Sequence, residues 1–330
     1  MKTRRDFVLQ ASKGVCGLGL TSLASTRTAS GGPGRGTGLV YEDAYLKHVL
    51  SPDHPESPMR LRKVREELKR SGLDQHVTRL EPLQEAMPFI EKHHTPQHVA
   101  SVKQIPVTGP VAALAVAGGL GAVRAVAGKD VRNAFCAIRP PGHHANNTGG
   151  EEGFCFYSNA AIAAKYVQSF GFEKILIIDW DYHHGNGTQN AFYEDPTVLF
   201  FSTHDWQAYP GTGDPSLTGA GEGKGLNINV HLDCGAKDKD MLGAWDRKLL
   251  SAVEKFKPDF VLVSAGFDSR KEDLLGCFAV TDDGFRRMTR TAMDIADHYC
   301  GGRLVSLLEG GYNLDGLAKA VAAHVATLLG

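Results

Sequence analysis

Six short runs rich in Val, Ile, Leu and Phe constrain this chain most: Ala134–Ile138, Ile175–Ile178, Val198–Phe201, Leu226–Val230, Phe260–Val263 and Leu304–Leu308. A strand with one wet face alternates apolar and polar residues; nearly continuous apolar runs are expected of parallel strands buried on both faces. Longer helical patterns separate them. Ser158–Gly171 opens on a capping Ser, continues through alanines and stops at Gly, and Met241–Phe256 ends before Lys257-Pro258. Thr281–Tyr299 and Leu314–Leu329 complete the series. The alternation predicts an α/β fold, a three-layer α/β/α arrangement with a mostly parallel central sheet and helices on both faces.

The residues that follow each run carry the chemistry. Ala134–Ile138 leads into Arg139-Pro140-Pro141-Gly142-His143-His144, and Ile175–Ile178 into Asp179-Trp180-Asp181-Tyr182-His183-His184-Gly185-Asn186. Val198–Phe201 leads into Ser202-Thr203-His204, Phe260–Val263 into Ser264–Asp268, and Leu304–Leu308 into Glu309-Gly310-Gly311-Tyr312. Ligands in open parallel sheets bind beyond the carboxyl ends of the strands, so five segments deliver His, Asp and Tyr to one rim. Asp181 and His183, two apart, can present their side chains to the same side. With Asp268 they offer the oxygen and nitrogen ligands of a zinc site that keeps one position open for water or substrate. A lone Asp at a strand end is usually structural; three such residues beside two adjacent His are not. His143-His144 follow a rigid Pro-Pro-Gly turn, and Asp179 and Asn186 are placed to hold one ring each. A carboxylate favours the imidazolium and an amide does not, which separates acid and base roles. Tyr312, after two glycines, can donate to a developing oxyanion.

The net charge of -1 provides no electrostatic footprint for nucleic acid. Six cysteines without a CxxC pair argue against a structural zinc site or a disulfide scaffold and read as scattered thiols. Arg4-Arg5 stand before an uncharged, weakly apolar stretch, Gly14 to Ala24, that is shorter than the ~20 residues a membrane span needs. The pattern resembles a bacterial twin-arginine export signal over residues 1–29, with a cytoplasmic protein bearing a basic N-terminus as the alternative. Residues 30–38 are Gly-rich and read as a linker, leaving one catalytic domain over residues 39–330.

From about Tyr41 onwards the sequence resembles the arginase/deacetylase superfamily, and within it the histone deacetylase family, on RPPGHH, GFCFYSNAA, DWDYHHGNGTQNAF, YPGTG, AGFDS and EGGYN. Asn186 and Glu309 make it similar to the class II branch and its bacterial relatives. The resemblance implies Zn²⁺ on Asp181, His183 and Asp268. It implies His144 as the general base that later protonates the leaving amine, and His143 with Asp179 as its electrostatic partner. Tyr312 corresponds to the carbonyl-polarising phenol, and Phe154 and Tyr209 to the aromatic pair lining an acyl-lysine tunnel. The Gly153 carbonyl corresponds to the acceptor for the substrate amide, and Leu275 falls at the tunnel mouth. Potassium is implied at Asp179, Asp181, His183, Ser202 and Thr203, with part of a second potassium site at Phe192, Asp195 and Val198.

The implied activity is removal of acetyl or related short acyl groups from lysine, in a peptide or a small acylated amine. An acetylpolyamine amidohydrolase shares the chemistry, but such proteins tend to carry a carboxylate where Leu275 stands. A non-catalytic acyl-ligand binding protein on the same fold is the reading from another class. It would be expected to have lost Tyr312, a metal ligand or the His pair, and all are present.

Overall fold

The computed structural model describes residues 36–330, so the proposed export signal and most of the linker lie outside the described residues. Eight strands form one sheet, all of whose pairings are parallel: β1 (Thr37–Val40), β2 (Val77–Leu80), β3 (Asn133–Cys136), β4 (Ile175–Asp179), β5 (Val198–His204), β6 (Asn227–His231), β7 (Phe260–Ala265) and β8 (Leu304–Leu308). Their order is β2-β1-β3-β8-β7-β4-β5-β6. Every residue of β3, β4, β5, β7 and β8 is buried, as the unbroken apolar runs require.

The helices are α1 (Met59–Arg70), α2 (Met87–His93), α3 (Pro96–Lys103), α4 (Thr108–Ala127), α5 (Asn159–Gln168) and α6 (Asn186–Phe192), followed by α7 (Asp238–Ala244), α8 (Leu250–Phe256), α9 (Asp282–Tyr299) and α10 (Leu314–Leu329). α4 packs on β1, β3 and β8, α5 on β4 and β7, α9 on β7 and β8, and α10 on β3. α4 is long and apolar enough to cross a membrane, but 72% of its apolar window is buried within the fold, where it serves as a core helix.

Several details differ from the sequence reading. β1 takes in Thr37 and Gly38, assigned above to the linker. Thr37 is buried and its hydroxyl donates to the Leu328 carbonyl, which ties the strand to the end of α10. The helix expected over Met241–Phe256 starts three residues earlier, at Asp238, and runs through a π-helical stretch, Trp245–Leu249, between α7 and α8. Thr281 caps α9 by accepting from Gly284 N–H, whereas Ser158 makes no side-chain cap on α5. Cys234 and Cys277 are not separate thiols: they form a disulfide across 43 residues, with Cα atoms 5.2 Å apart. The turn after β6 runs beside residues 277–279, where Gly235 N–H donates to Cys277 and Ala279 N–H to Ala236, and this brings the two side chains together. Cys136, Cys155 and Cys300 are buried thiols.

Candidate active site

β3, β8, β7, β4 and β5 are consecutive in the sheet, so the five segments singled out above emerge side by side along one edge. Asp181 and Asp268 are fully buried, and His183 lies between them with its side chain 12% exposed. His183 Nδ1 is 3.1 Å from Asp181 Oδ1 and 3.0 Å from Asp268 Oδ2. One ligand atom from each residue falls within 4.8 Å of the others, the grouping a single metal ion would take. The backbone cooperates: Tyr182 N–H donates to the other Asp268 oxygen and Gly310 N–H to the other Asp181 oxygen, each at 2.8 Å. Glycine is required at 310, where a Cβ would lie 2.2 Å from Asp268 Oδ2. Burial and the adjacent Asp181 carboxylate raise the pKa of Asp268 above the ordinary carboxylate value. Two buried carboxylates sharing one imidazole call for a cation, and the donor set of two oxygens and one nitrogen suits zinc.

The two adjacent histidines occupy opposite electrostatic settings. His143 Nδ1 is 3.0 Å from Asp179 Oδ2. Burial disfavours charge on that ring, but Asp181 and Asp179 outweigh it and raise its pKa well above the ordinary value. His144 Nδ1 is 2.8 Å from Asn186 Oδ1. Because an amide oxygen only accepts, Nδ1 carries the proton and Nε2 is left as the basic nitrogen. Burial and then the charge of His143 hold the His144 pKa well below its ordinary value. The rings lie 4.0 Å apart. The two rings are thus shifted in opposite directions, His143 toward the protonated form and His144 toward the neutral one.

A cleft of about 340 Å³ opens over these groups, lined by His144, Gly153, Phe154, Tyr182, His183, Ala208, Tyr209, Leu275 and Tyr312. Every residue expected in the tunnel is there; Tyr182 and Ala208 were not anticipated. Gly153 presses against His144, where a Cβ would come within 2.4 Å of the ring. The Tyr312 ring stands 5.9 Å from Phe154, and burial raises its pKa well above 10, so the phenol keeps its proton.

A supporting layer lies behind these groups, built partly of charged residues outside the motifs (Glu56, Arg60 and Asp273) and partly of motif residues given no role above (Arg139 and Glu309). Glu309, noted only as a branch marker, accepts from Gly142 N–H at 2.7 Å and His143 N–H at 3.2 Å and so holds the histidine turn. Arg60 donates to the Gly311 carbonyl at 2.6 Å and the Glu309 carbonyl at 2.5 Å, with its guanidinium 5.0 Å from the Tyr312 ring centre. Glu56 binds Arg60 and, through both oxygens, Arg139. Burial works against charge on Glu56, but Arg139 foremost holds its pKa well below the carboxylate range. Asp273 accepts from Tyr312 N–H at 2.7 Å and Leu275 N–H at 3.0 Å, linking the tyrosine loop to the cleft mouth.

Of the residues implied for potassium, Ser202 pairs in register with Asp179, and its hydroxyl shares a hydrogen bond of 2.7 Å with His204. Ser202 and Thr203 are buried. Phe192 ends α6 and Val198 begins β5, while Asp195 between them binds Lys165 at 2.6 Å and Thr197 N–H at 2.8 Å.

This fold and rim define a protein of the arginase/deacetylase architecture. Residues 106–328 match the family model described as "Histone deacetylase domain". A "Probable deacetylase" of Archaeoglobus fulgidus is 39% identical over 296 residues, covering 85% of this chain and 82% of that protein. "Histone deacetylase 5" of Arabidopsis thaliana is 37% identical over 89% of this chain, which spans 49% of the plant protein's length. Among solved structures, the HDA15 HD domain superposes with a TM-score of 0.84 at 34% identity, covering 89% of this chain and 90% of that one. The chain belongs to the histone deacetylase family, and is a hydrolase by that membership.

Proposed function

We propose that this chain is a zinc-dependent deacylase that removes acetyl or similarly short acyl groups from lysine side chains. The observation that carries the reading is His144, its Nδ1 fixed by Asn186, lining one cleft with Tyr312 and with His183 of the Asp181–His183–Asp268 cluster. Zinc held by that cluster would lower the pKa of a water toward ~7 and polarise the acyl carbonyl. His144 Nε2 takes a proton from the attacking water and returns it to the departing amine nitrogen. Tyr312 donates to the developing oxyanion, and the His143 imidazolium adds positive potential nearby. Water is thereby added across the amide, giving a free amine and a carboxylate. Phe154 and Tyr209 flank the substrate stem, and the Gly153 carbonyl accepts from its amide.

Leu275 at the mouth, 39% exposed, favours acyl-lysine over an acylated polyamine, whose distant ammonium calls for a carboxylate there. The reading includes potassium beneath the zinc loop at Asp179, Asp181, His183, Ser202 and Thr203, and a second ion near Phe192, Asp195 and Val198. Titrating potassium at constant ionic strength should raise turnover; a flat response removes that part. Export by residues 1–29 also belongs to the proposal, and a reporter fused to them should leave the cytoplasm only in twin-arginine-competent cells. The decisive assay is amine release from a panel of acylated lysine peptides and polyamines, with and without a chelator. Zinc-loaded protein that binds acyl-lysine without cleaving it would establish a binding protein instead.

A further inference from the structure

Residues 145–157 bring Gly153 and Phe154 to the cleft with no helix or strand of their own beyond one bridge pair, Glu152 with Cys155. Both residues are in the left-handed backbone region, with φ of 53° at Gly153 and 68° at Phe154. A residue with a side chain keeps that conformation only when its surroundings impose it.

Two imidazoles surround the segment. His94, just past α2, and His98, within α3, are 3% and 1% exposed, with ring centres 4.7 Å apart. Their four nitrogens reach four points of the segment and its edge. His94 Nδ1 bonds to the Asn147 side-chain oxygen at 3.1 Å, and His94 Nε2 accepts from Ser158 N–H at 3.0 Å. His98 Nδ1 accepts from Gly149 N–H at 3.0 Å, and His98 Nε2 bonds to the Phe156 carbonyl at 2.7 Å. A nitrogen that accepts from a backbone N–H carries no proton, so each ring is neutral with a fixed tautomer. Two of the contacts precede Gly153 and two follow Phe154. Both flanks of the Gly153-Phe154 pair are therefore anchored.

We propose that His94 and His98 are positioning residues that hold this wall of the cleft and thereby set the grip on the substrate stem, while cleavage itself depends on the rim opposite. The inference rests on the deacylase reading of the cleft.

The test uses the full chain loaded with zinc, comparing His94→Ala, His98→Ala and His98→Gln. Each alanine variant should raise KM for an acetyl-lysine peptide on the order of tenfold while kcat stays within about threefold, because uniform binding has been removed. Amide hydrogen exchange over residues 147–158 should quicken. His98→Gln, whose amide can both donate and accept, should recover part of the loss. Val102→Ala, on buried α3 side chain Val102, should lower the melting temperature without moving KM. Wild-type KM and exchange in both alanine variants would overturn the proposal, as would a fall in kcat at constant KM, or an equal rise of KM in Val102→Ala. A wild-type protein that cleaves no acyl-lysine would sink the functional reading and with it the grip on an acyl-lysine stem, while the exchange comparison would still decide whether the two histidines hold the wall.

Discussion

The rim that gathers Asp181, His183 and Asp268 and the wall that presents Gly153 and Phe154 face the same cleft but are held by different means. The rim sits at the ends of β4, β7 and β8, central strands with every residue buried. Its backbone has little freedom, and its carboxylates receive N–H donors from neighbouring segments. The wall is irregular chain with Phe154 in the left-handed backbone region, bonded on its flanks by His94, just past α2, and His98, within α3. The proposed metal ligands thus stand at the ends of buried strands, where position is fixed by the sheet, and the proposed substrate wall stands on a loop whose position depends on its side-chain anchors.

Four substitutions test that division. Asp268→Ala should have the largest effect, emptying the metal site and reducing turnover to background; metal analysis showing unchanged stoichiometry would remove Asp268 from the ligand set. Next comes the ion network behind the rim. Glu56→Gln leaves the buried Arg60 and Arg139 guanidiniums without their carboxylate and should cost about 3–5 kcal/mol of folding stability, measured by urea unfolding. A loss below ~1 kcal/mol would mean that solvent already reaches the network. Tyr312→Phe should reduce kcat by roughly 10²–10³ with bound zinc intact, as expected for one oxyanion donor. Loss of zinc in that variant would show that the rim and the tyrosine loop are not separable. The smallest effect belongs to the mouth: Leu275→Glu should shift kcat/KM toward acetylated polyamines by up to about fivefold, since an exposed ion pair contributes at most ~1 kcal/mol. A shift toward uncharged acyl amines instead would show that the mouth does not read charge.

The residues gathered at the rim were legible because each follows an apolar run, and a buried parallel strand announces itself by composition alone. β1 and β2 were not legible. β1 is four residues behind a Gly-rich stretch, and β2 is an edge strand whose Thr78 and Arg79 are exposed. α4, apolar on all sides, lacks the period that marks a helix with one wet face. Glu56 and Arg60, buried against the motif loops, and the half-buried Asp273 belong to no motif and follow no apolar run, and the Cys234–Cys277 pair depends on two turns meeting across 43 residues.

The sequence by itself determined the class of fold and which residues meet at the rim, because strand burial and the residues that follow each strand are local properties of a few consecutive positions. Tertiary structure decided the rest: the order β3-β8-β7-β4-β5 that makes five separated segments neighbours, and the unlike partners that raise the pKa of His143 and lower that of His144. It also placed the two imidazoles that hold the wall. Each of these depends on distances between residues far apart in the chain, which are set only when the helices close over the sheet.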